Sequence, residues 1–284
     1  MGIIIDGKTL AKEKREELKK KVQELKDKEE IVPGLAIIRV GNDPASEIYV
    51  RNKLKACQEV GIHAVEQHFD ENASEQEIIE RIEFFNQEKS IDGILVQSPL
   101  PKNLNEKKIV SFILGSKDVD GFGINNLGHL LANQEQVLAA TPLGILHLLE
   151  KYEIPIASKN VLVIGRSQIV GRPLAIMFLN RDATVTIAHS KTKNLKELTL
   201  QADILVSAVG RPHFITADMV KEGAVCIDVG INRENGHVIG DTDFDTIKEK
   251  ASFITPVPGG VGPMTVATLL ENVYELASTR KKEK

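Results

Sequence analysis

"KNVLVIGRSQIVGRPLAIMFLNRDATVTIAHSKT", residues 159–192, runs from a short apolar stretch (161–164) through a glycine turn into a helical pattern, then into a second apolar stretch (184–188). Strand, turn, helix and strand in that order make a βαβ unit. Gly165 and Gly171 stand where a nucleotide-binding version needs glycines, one for the tight turn and one for close approach of helix to strand. The loop departs from the usual G-x-G-x-x-G: Ser167 occupies the second glycine's place, and the next glycine comes one residue late. A side chain there narrows the space for a pyrophosphate; alternatively, its hydroxyl can donate a hydrogen bond to one.

The end of the second strand bears on which dinucleotide is bound. NAD-binding units usually place Asp or Glu there, about 20 residues past the glycines, to accept from the ribose hydroxyls. This chain has "AHSKTK", with His189, Ser190, Lys191 and Lys193, and Arg166 in the glycine loop. Charge-assisted bonds to a 2′-phosphate are among the stronger ones. NADP is therefore the expected cofactor, and a solvated lysine-rich turn is the alternative reading.

Working outward, strand-like runs follow at "ADILVSAVG", "AVCIDVGIN" and "SFITPVPGGVG", and an amphipathic helix at "TVATLLENVYELA". Upstream, a charged helix from about Thr9 to Lys28 leads to "GLAIIRV" (34–40), an apolar run of the kind found in strands covered on both faces. A helix over 46–62, a strand "HAVEQHF", a helix opened by Ser74 with Glu77 in capping-box position, and a second buried strand in "DGILVQSPLP" complete a βαβα order. Such an order implies a mostly parallel sheet with helices on both faces. After "KDVDGFGINNLGHLL" the Gly and Asn content rises, and "AATPLGILHLLEKYEI" reads as a helix with Pro142 in its first turn; this region reads as the passage between domains.

At 284 residues, two domains are expected rather than one. Hydrophobic residues at 42% and charged residues at 27% fit a globular chain. A formal charge of −4 gives no field to draw nucleic acid, and no apolar run approaches the roughly 20 residues of a membrane span. The two cysteines, Cys57 and Cys226, follow no metal-ligand spacing, so no metal is expected. They suit reduced thiols, and the expected location is cytoplasmic.

"SEIYVRNK" sets Tyr49 and Lys53 four apart on a helix, where they share one face. A solvated lysine whose stem covers a half-buried ring would look the same. Gln97 in "VQSPLP" and Asp120 in "KDVDGF" fall at or just beyond strand ends, where open parallel sheets bind ligands, although Asp120 also reads as a turn residue before Gly121. "PVPGGVGP" holds three prolines and three glycines in eight residues, an unusual backbone path just before a helix.

Taken together, "SEIYVRNK", "DGILVQSPLP", "KDVDGF", "ATPLG", "VIGRSQIVGRP", "HSKT", "DVGIN" and "TPVPGGVGPMT" resemble the bifunctional methylenetetrahydrofolate dehydrogenase/methenyltetrahydrofolate cyclohydrolase family, in that family's order and over nearly the whole chain. The resemblance implies two α/β domains around a cleft: a folate-binding catalytic domain over 1–139, joined by the C-terminal helix 264–284, and a Rossmann-type NADP-binding domain over 140–263 with a mostly parallel sheet. It implies a homodimer acting on tetrahydrofolate one-carbon derivatives.

By the same resemblance, Tyr49 packs on the folate ring system, Lys53 stands at the reacting carbon, Gln97 hydrogen-bonds near it, and Asp120 binds the pterin. These four are the expected catalytic residues. Val96, Ser98, Pro258, Gly259 and Gly260 add to the substrate site, and 256–265 closes over it. Gly165, Arg166, Ser167, Ser190 and Ile231 hold NADP. The implied chemistry is oxidation of 5,10-methylenetetrahydrofolate by NADP+, then hydrolysis of the methenyl product to 10-formyltetrahydrofolate.

Two rival readings remain. Short-chain dehydrogenases also carry Tyr-x-x-x-Lys, but after their glycine loop, whereas Tyr49 precedes Gly165. A catalytically silent NADP-binding protein is expected to lose Lys53, Gln97 or Asp120, and all three are present.

Overall fold

The computed structural model describes residues 1–280; residues 281–284, the end of the expected C-terminal segment, lie outside the described residues. The chain forms two compact units, one from Met1–Lys12, Leu130–Gln134 and Ala139–Thr265, the other from Glu13–His129, Glu135–Leu138 and Val266 onward.

The chain opens with β1 (Ile3–Ile4) and α1 (Gly7–Glu29). Then come β2 (Gly34–Val40), α2 (Pro44–Val60), β3 (His63–Phe69), α3 (Glu75–Gln87), β4 (Gly93–Val96), α4 (Glu106–Val110) and α5 (Ile124–Leu131). Strands β2 to β4 make a parallel sheet in the order β3-β2-β4. Every residue of β2 is buried, which is why the central strand reads as a continuous apolar run. Ala36, Ile38 and Val40 pack with Ile78, Ile82 and Phe85 of α3. Asp43 caps α2 by accepting from the Ser46 N–H at 2.8 Å, and Gly61 ends it at φ 88°. The capping box of α3 is formed, with Glu77 accepting from the Ser74 N–H and Ser74 Oγ from the Glu77 N–H.

The other unit contains α6 (Ala140–Lys151), β5 (Asn160–Ile164), α7 (Gly171–Leu179), β6 (Thr184–Ala188), α8 (Leu195–Thr199), β7 (Ile204–Ser207) and β8 (Val225–Asp228). A hairpin of β9 (Asn232–Glu234) and β10 (His237–Ile239), α9 (Phe244–Ile247), β11 (Phe253–Ile254) and α10 (Val261–Arg280) follow. Its six-stranded sheet has the order β1-β11-β8-β7-β5-β6, parallel throughout. Leu162, Ile164, Leu205, Cys226 and Ile254 form the core of one face.

Both sheets are α/β and parallel as expected, with differences at the edges. Residues 1–12 pack with the six-stranded unit rather than the N-terminal one, because Ile3 and Ile4 pair with Phe253 and Ile254. The interdomain passage contains α5, and the β9–β10 hairpin turns on Asn235 and Gly236, both at positive φ. The last helix begins at Val261, so 256–265 is part loop and part first turns of α10.

Each sheet has one place where the strand order reverses. In the three-stranded sheet the chain steps from β2 outward to β3 and then back across to β4; in the six-stranded one it steps from β5 to β6 and back to β7. Ligands bind at the carboxyl ends of strands at such points.

Candidate functional site

The crevice of the three-stranded sheet is flanked by α2, which follows β2, and by the segment after β4. Gln97 extends the sheet by one bond, its N–H donating to Ile38 O at 2.8 Å, and the residue is 9% exposed. Its Nε2 donates to Ser98 O at 2.7 Å, which orients the amide so that Oε1 accepts from Lys53 Nζ at 2.9 Å. Lys53 is not a solvated lysine over a buried ring. Burial holds its amine below the ordinary value, and the nearby charge of Asp120 only partly restores it. Tyr49, one turn earlier on α2, is instead the exposed member of the dyad at 44%.

Asp120 is pushed up to about 7, chiefly by burial; Asp118 and Glu106 add to this, and Lys53 opposes it. The turn role that the sequence allows for Asp120 belongs to Asp118. That buried carboxylate accepts from the N–H of Gly121 at 3.1 Å and of Gly123 at 2.7 Å, and from Asn126 Nδ2 at 2.9 Å. Asn272 of α10 holds the same loop, donating to Val119 O and Leu138 O. With the turn satisfied by Asp118, the Asp120 carboxylate stays beside the amine of Lys53. Ser98 Oγ donates to Glu106, while the Val96 side chain packs into the core and can offer a ligand only its main chain.

Pro258, Gly259 and Gly260 belong to the six-stranded unit. Their loop is fixed at Gly259 (φ 109°), where Lys8 N–H donates to the Gly259 carbonyl at 2.9 Å, and by a bond from Gly260 N–H to Pro256 O at 2.9 Å.

At the reversal between β5 and β7, Gly165 adopts φ 125°, and a Cβ there would lie 2.4 Å from Ala208 O. A Cβ on Gly171 would lie 2.2 Å from Gly165 O, so neither position accepts a side chain. Ser167 explains its own departure from the glycine pattern. Its Oγ accepts from the N–H of Val170 at 3.2 Å and of Gly171 at 3.4 Å, capping the start of α7 and leaving the hydroxyl proton free to donate outward. After β6, His189 and Thr192 close a tight turn through two mutual bonds, and Lys191 N–H donates to His189 Nδ1. The turn presents Ser190, Lys191 and Lys193 exposed. Arg166, Lys191 and Lys193 form no ion pair among the described residues. Ile231, 56% exposed, sits just beyond β8. Bare backbone at the glycine turn, a helix start and unpaired cations suit an NADP pyrophosphate and 2′-phosphate. A separate groove of about 230 Å³ near Pro155, Lys159, Ser252 and Phe253 lies toward the amino ends of the strands, and the ion pair of Lys221 with Asp203 lines it.

Thus Tyr49, Lys53, Gln97, Ser98 and Asp120 cluster in one unit, and Gly165, Arg166, Ser167, Ser190, Ile231 and the 258–260 loop lie in the other. Sequence reading missed Asp118, Asp228 and Asp241, the buried carboxylates that fix the surrounding loops. No group of His, Cys, Asp and Glu suited to a metal occurs among the described residues.

Residues 5–120 match the family profile described as tetrahydrofolate dehydrogenase/cyclohydrolase, catalytic domain, and residues 139–281 the one described as its NAD(P)-binding domain. The bifunctional protein FolD of a Nitratiruptor species is 50% identical over 98% of this chain and 99% of its own length. The crystal structure of bifunctional FolD from Campylobacter jejuni superposes with a TM-score of 0.97 at 48% identity, covering 99% of this chain and 100% of that one. A Trypanosoma brucei methylenetetrahydrofolate dehydrogenase-cyclohydrolase, solved with NADP cofactor and inhibitor, gives 0.94 at 33% identity, covering 98% of each. With both domains matched in chain order and a relative half identical along almost its whole length, the chain belongs to the tetrahydrofolate dehydrogenase/cyclohydrolase family.

Proposed function

We propose that this protein oxidises 5,10-methylenetetrahydrofolate to the 5,10-methenyl cation with NADP+ and then hydrolyses that cation to 10-formyltetrahydrofolate. The observation that carries the reading is the Lys53 amine, held at 2.9 Å by Gln97 beside the desolvated carboxylate of Asp120.

NADP+, when bound, supplies the hydride acceptor. Gly165, Arg166, Ser167, Ser190 and Ile231 hold it, with Arg166 and the 190–193 turn toward the 2′-phosphate. The oxidation asks no proton of the protein, because the folate nitrogens drive hydride departure; alignment is what residues must provide. Tyr49 stacks on the folate ring. Asp120 accepts from the pterin N–H groups, whose donors favour its ionised form. Val96 and Ser98 complete the folate pocket of their own unit.

Hydrolysis requires proton movement. Water adds to the methenyl carbon, a proton leaves its oxygen, and a ring C–N bond breaks as the departing nitrogen is protonated. An amine with a lowered pKa is neutral often enough near pH 7 to take the first proton and, once charged, to supply the second. Gln97 holds Lys53 at that carbon.

The enzyme works as a homodimer in the cytoplasm, where its two buried free thiols, Cys57 and Cys226, stay reduced. Mixing the protein with methylenetetrahydrofolate and NADP+ tests the function. Reduced cofactor should form, and supplied methenyltetrahydrofolate should decay faster than its spontaneous rate. Failure of both refutes the reading.

A further inference from the structure

Asp241 is fully buried, yet it belongs to neither the folate cluster nor the glycine loop. Its Oδ2 accepts from Ser207 Oγ at 3.1 Å and from the N–H of Val209 at 2.8 Å and Gly210 at 3.3 Å. Its Oδ1 accepts from the Arg211 N–H at 2.9 Å and from Asn232 Nδ2 at 3.0 Å. Five donors saturate a carboxylate that offers about four lone-pair sites. The donors come from two loops: the one leaving β7, and the one leaving β8 into the hairpin.

Asp228 interlocks with it. Its Oδ1 accepts from the N–H of Gly230 and of Asp241, and its Oδ2 from the N–H and hydroxyl of Thr242. Ile231 is thereby bracketed, with Gly230 tied to one carboxylate and Asn232 to the other. The backbone is shaped around these groups. A Cβ on Gly230 would lie 2.1 Å from Asp241 Oδ1, and one on Gly240 would lie 2.1 Å from Asp228 Oδ2. Apolar side chains could fill the same volume, but they would leave the N–H groups of 209–211 and the Asn232 amide without partners. A buried charge in this place fixes two loops at once, both at carboxyl ends of strands and one of them directly after Ala208, against which Gly165 packs.

We propose that Asp241 is a positioning residue for the dinucleotide: it locks the 209–211 loop and Ile231 in register with the glycine turn, and so sets NADP affinity while leaving hydrolysis alone. The inference rests on the reading of this unit as the NADP site.

The test uses Asp241→Asn and the milder Asn232→Ala, which removes one donor of the five. Three quantities are read: NADP+ affinity by calorimetry, amide hydrogen exchange, and cyclohydrolase activity without nucleotide. Asp241→Asn should weaken NADP+ binding by about tenfold or more, as expected when hydrogen bonds to a charged group are lost. Asn232→Ala should weaken it by a few-fold. In both variants exchange at 209–211 and 230–232 should quicken, while cyclohydrolase activity stays within about twofold, since that step draws on no residue here. Unchanged NADP+ affinity despite faster exchange overturns the proposal. So does a parallel fall of NADP+ binding and cyclohydrolase activity in Asn232→Ala, which would mark a general structural role. If Asp241→Asn does not fold, Asn232→Ala alone decides. An unmodified protein that fails to bind NADP+ overturns the underlying site reading, and is recognised before any substitution is made.

Discussion

Replacing Asp120 by Asn should stabilise the ligand-free protein at alkaline pH while weakening its hold on folate. Burial raises the Asp120 carboxyl from the ordinary 3.8 to about 7, against the opposing charge of Lys53. Because the folded-state value exceeds the unfolded one, the folded protein keeps a proton that the unfolded chain has released between the two values. Stability is therefore greatest at the acid end and is lost as pH rises through the folded value. For this shift the loss between about pH 5 and about pH 8 is about 2.5 kcal/mol.

Asparagine cannot ionise and escapes it. Urea unfolding of both proteins at the two pH values reads the effect. The stability of Asp120→Asn relative to the unmodified protein should rise by about 2.5 kcal/mol from acid to alkaline conditions. Meanwhile folate binding should weaken by about 2–5 kcal/mol, as when one member of a buried hydrogen-bonded charge pair is removed. A stability difference that does not vary with pH refutes the claim that Asp120 is a desolvated carboxylate.

Other outcomes follow from the nucleotide unit. NADP+ should exceed NAD+ in kcat/KM, and Arg166→Ala or Ser190→Ala should narrow the gap mainly through NADP+ affinity; equal use of both by the unmodified enzyme would contradict the 2′-phosphate assignment. Gly165→Ala forces a Cβ to within 2.4 Å of Ala208 O at φ 125°, and should cost at least about 1–3 kcal/mol of stability as well as NADP+ binding. A variant with unchanged thermal midpoint and cofactor affinity would show that the turn can open.

Much of this was legible in the sequence, because buried strands such as 34–40 and 161–164 are apolar on both faces, and because Lys53, Gln97 and Asp120 stand in motifs with a fixed order. The organising carboxylates were not. In "KDVDGF" either aspartate can serve the turn, and only the bonds to Gly121, Gly123 and Asn126 assign that work to Asp118. Asp228 and Asp241 take donors from residues up to 34 positions away, a relation no local pattern carries. Strand β1 has two residues, too short for any period, and joins its sheet only through β11. The hairpin did leave a signal, Asn235-Gly236, but its three-residue strands lack apolar alternation.

The division of labour at Lys53 is decided by one variant in two assays. Lys53→Met keeps most of the stem's volume and removes the amine. Reduced NADP formed from methylenetetrahydrofolate reports the oxidation, and decay of methenyltetrahydrofolate above its spontaneous rate reports the hydrolysis. Cyclohydrolase kcat should fall by about 10²–10⁴-fold, the usual effect of losing a general acid–base group. Dehydrogenase kcat should fall far less, with a rise in folate KM because Asp120 loses the charge that favours its ionised form. Proportional loss of both kcat values would contradict the account, leaving Lys53 to position substrate and assigning the proton transfers to another group.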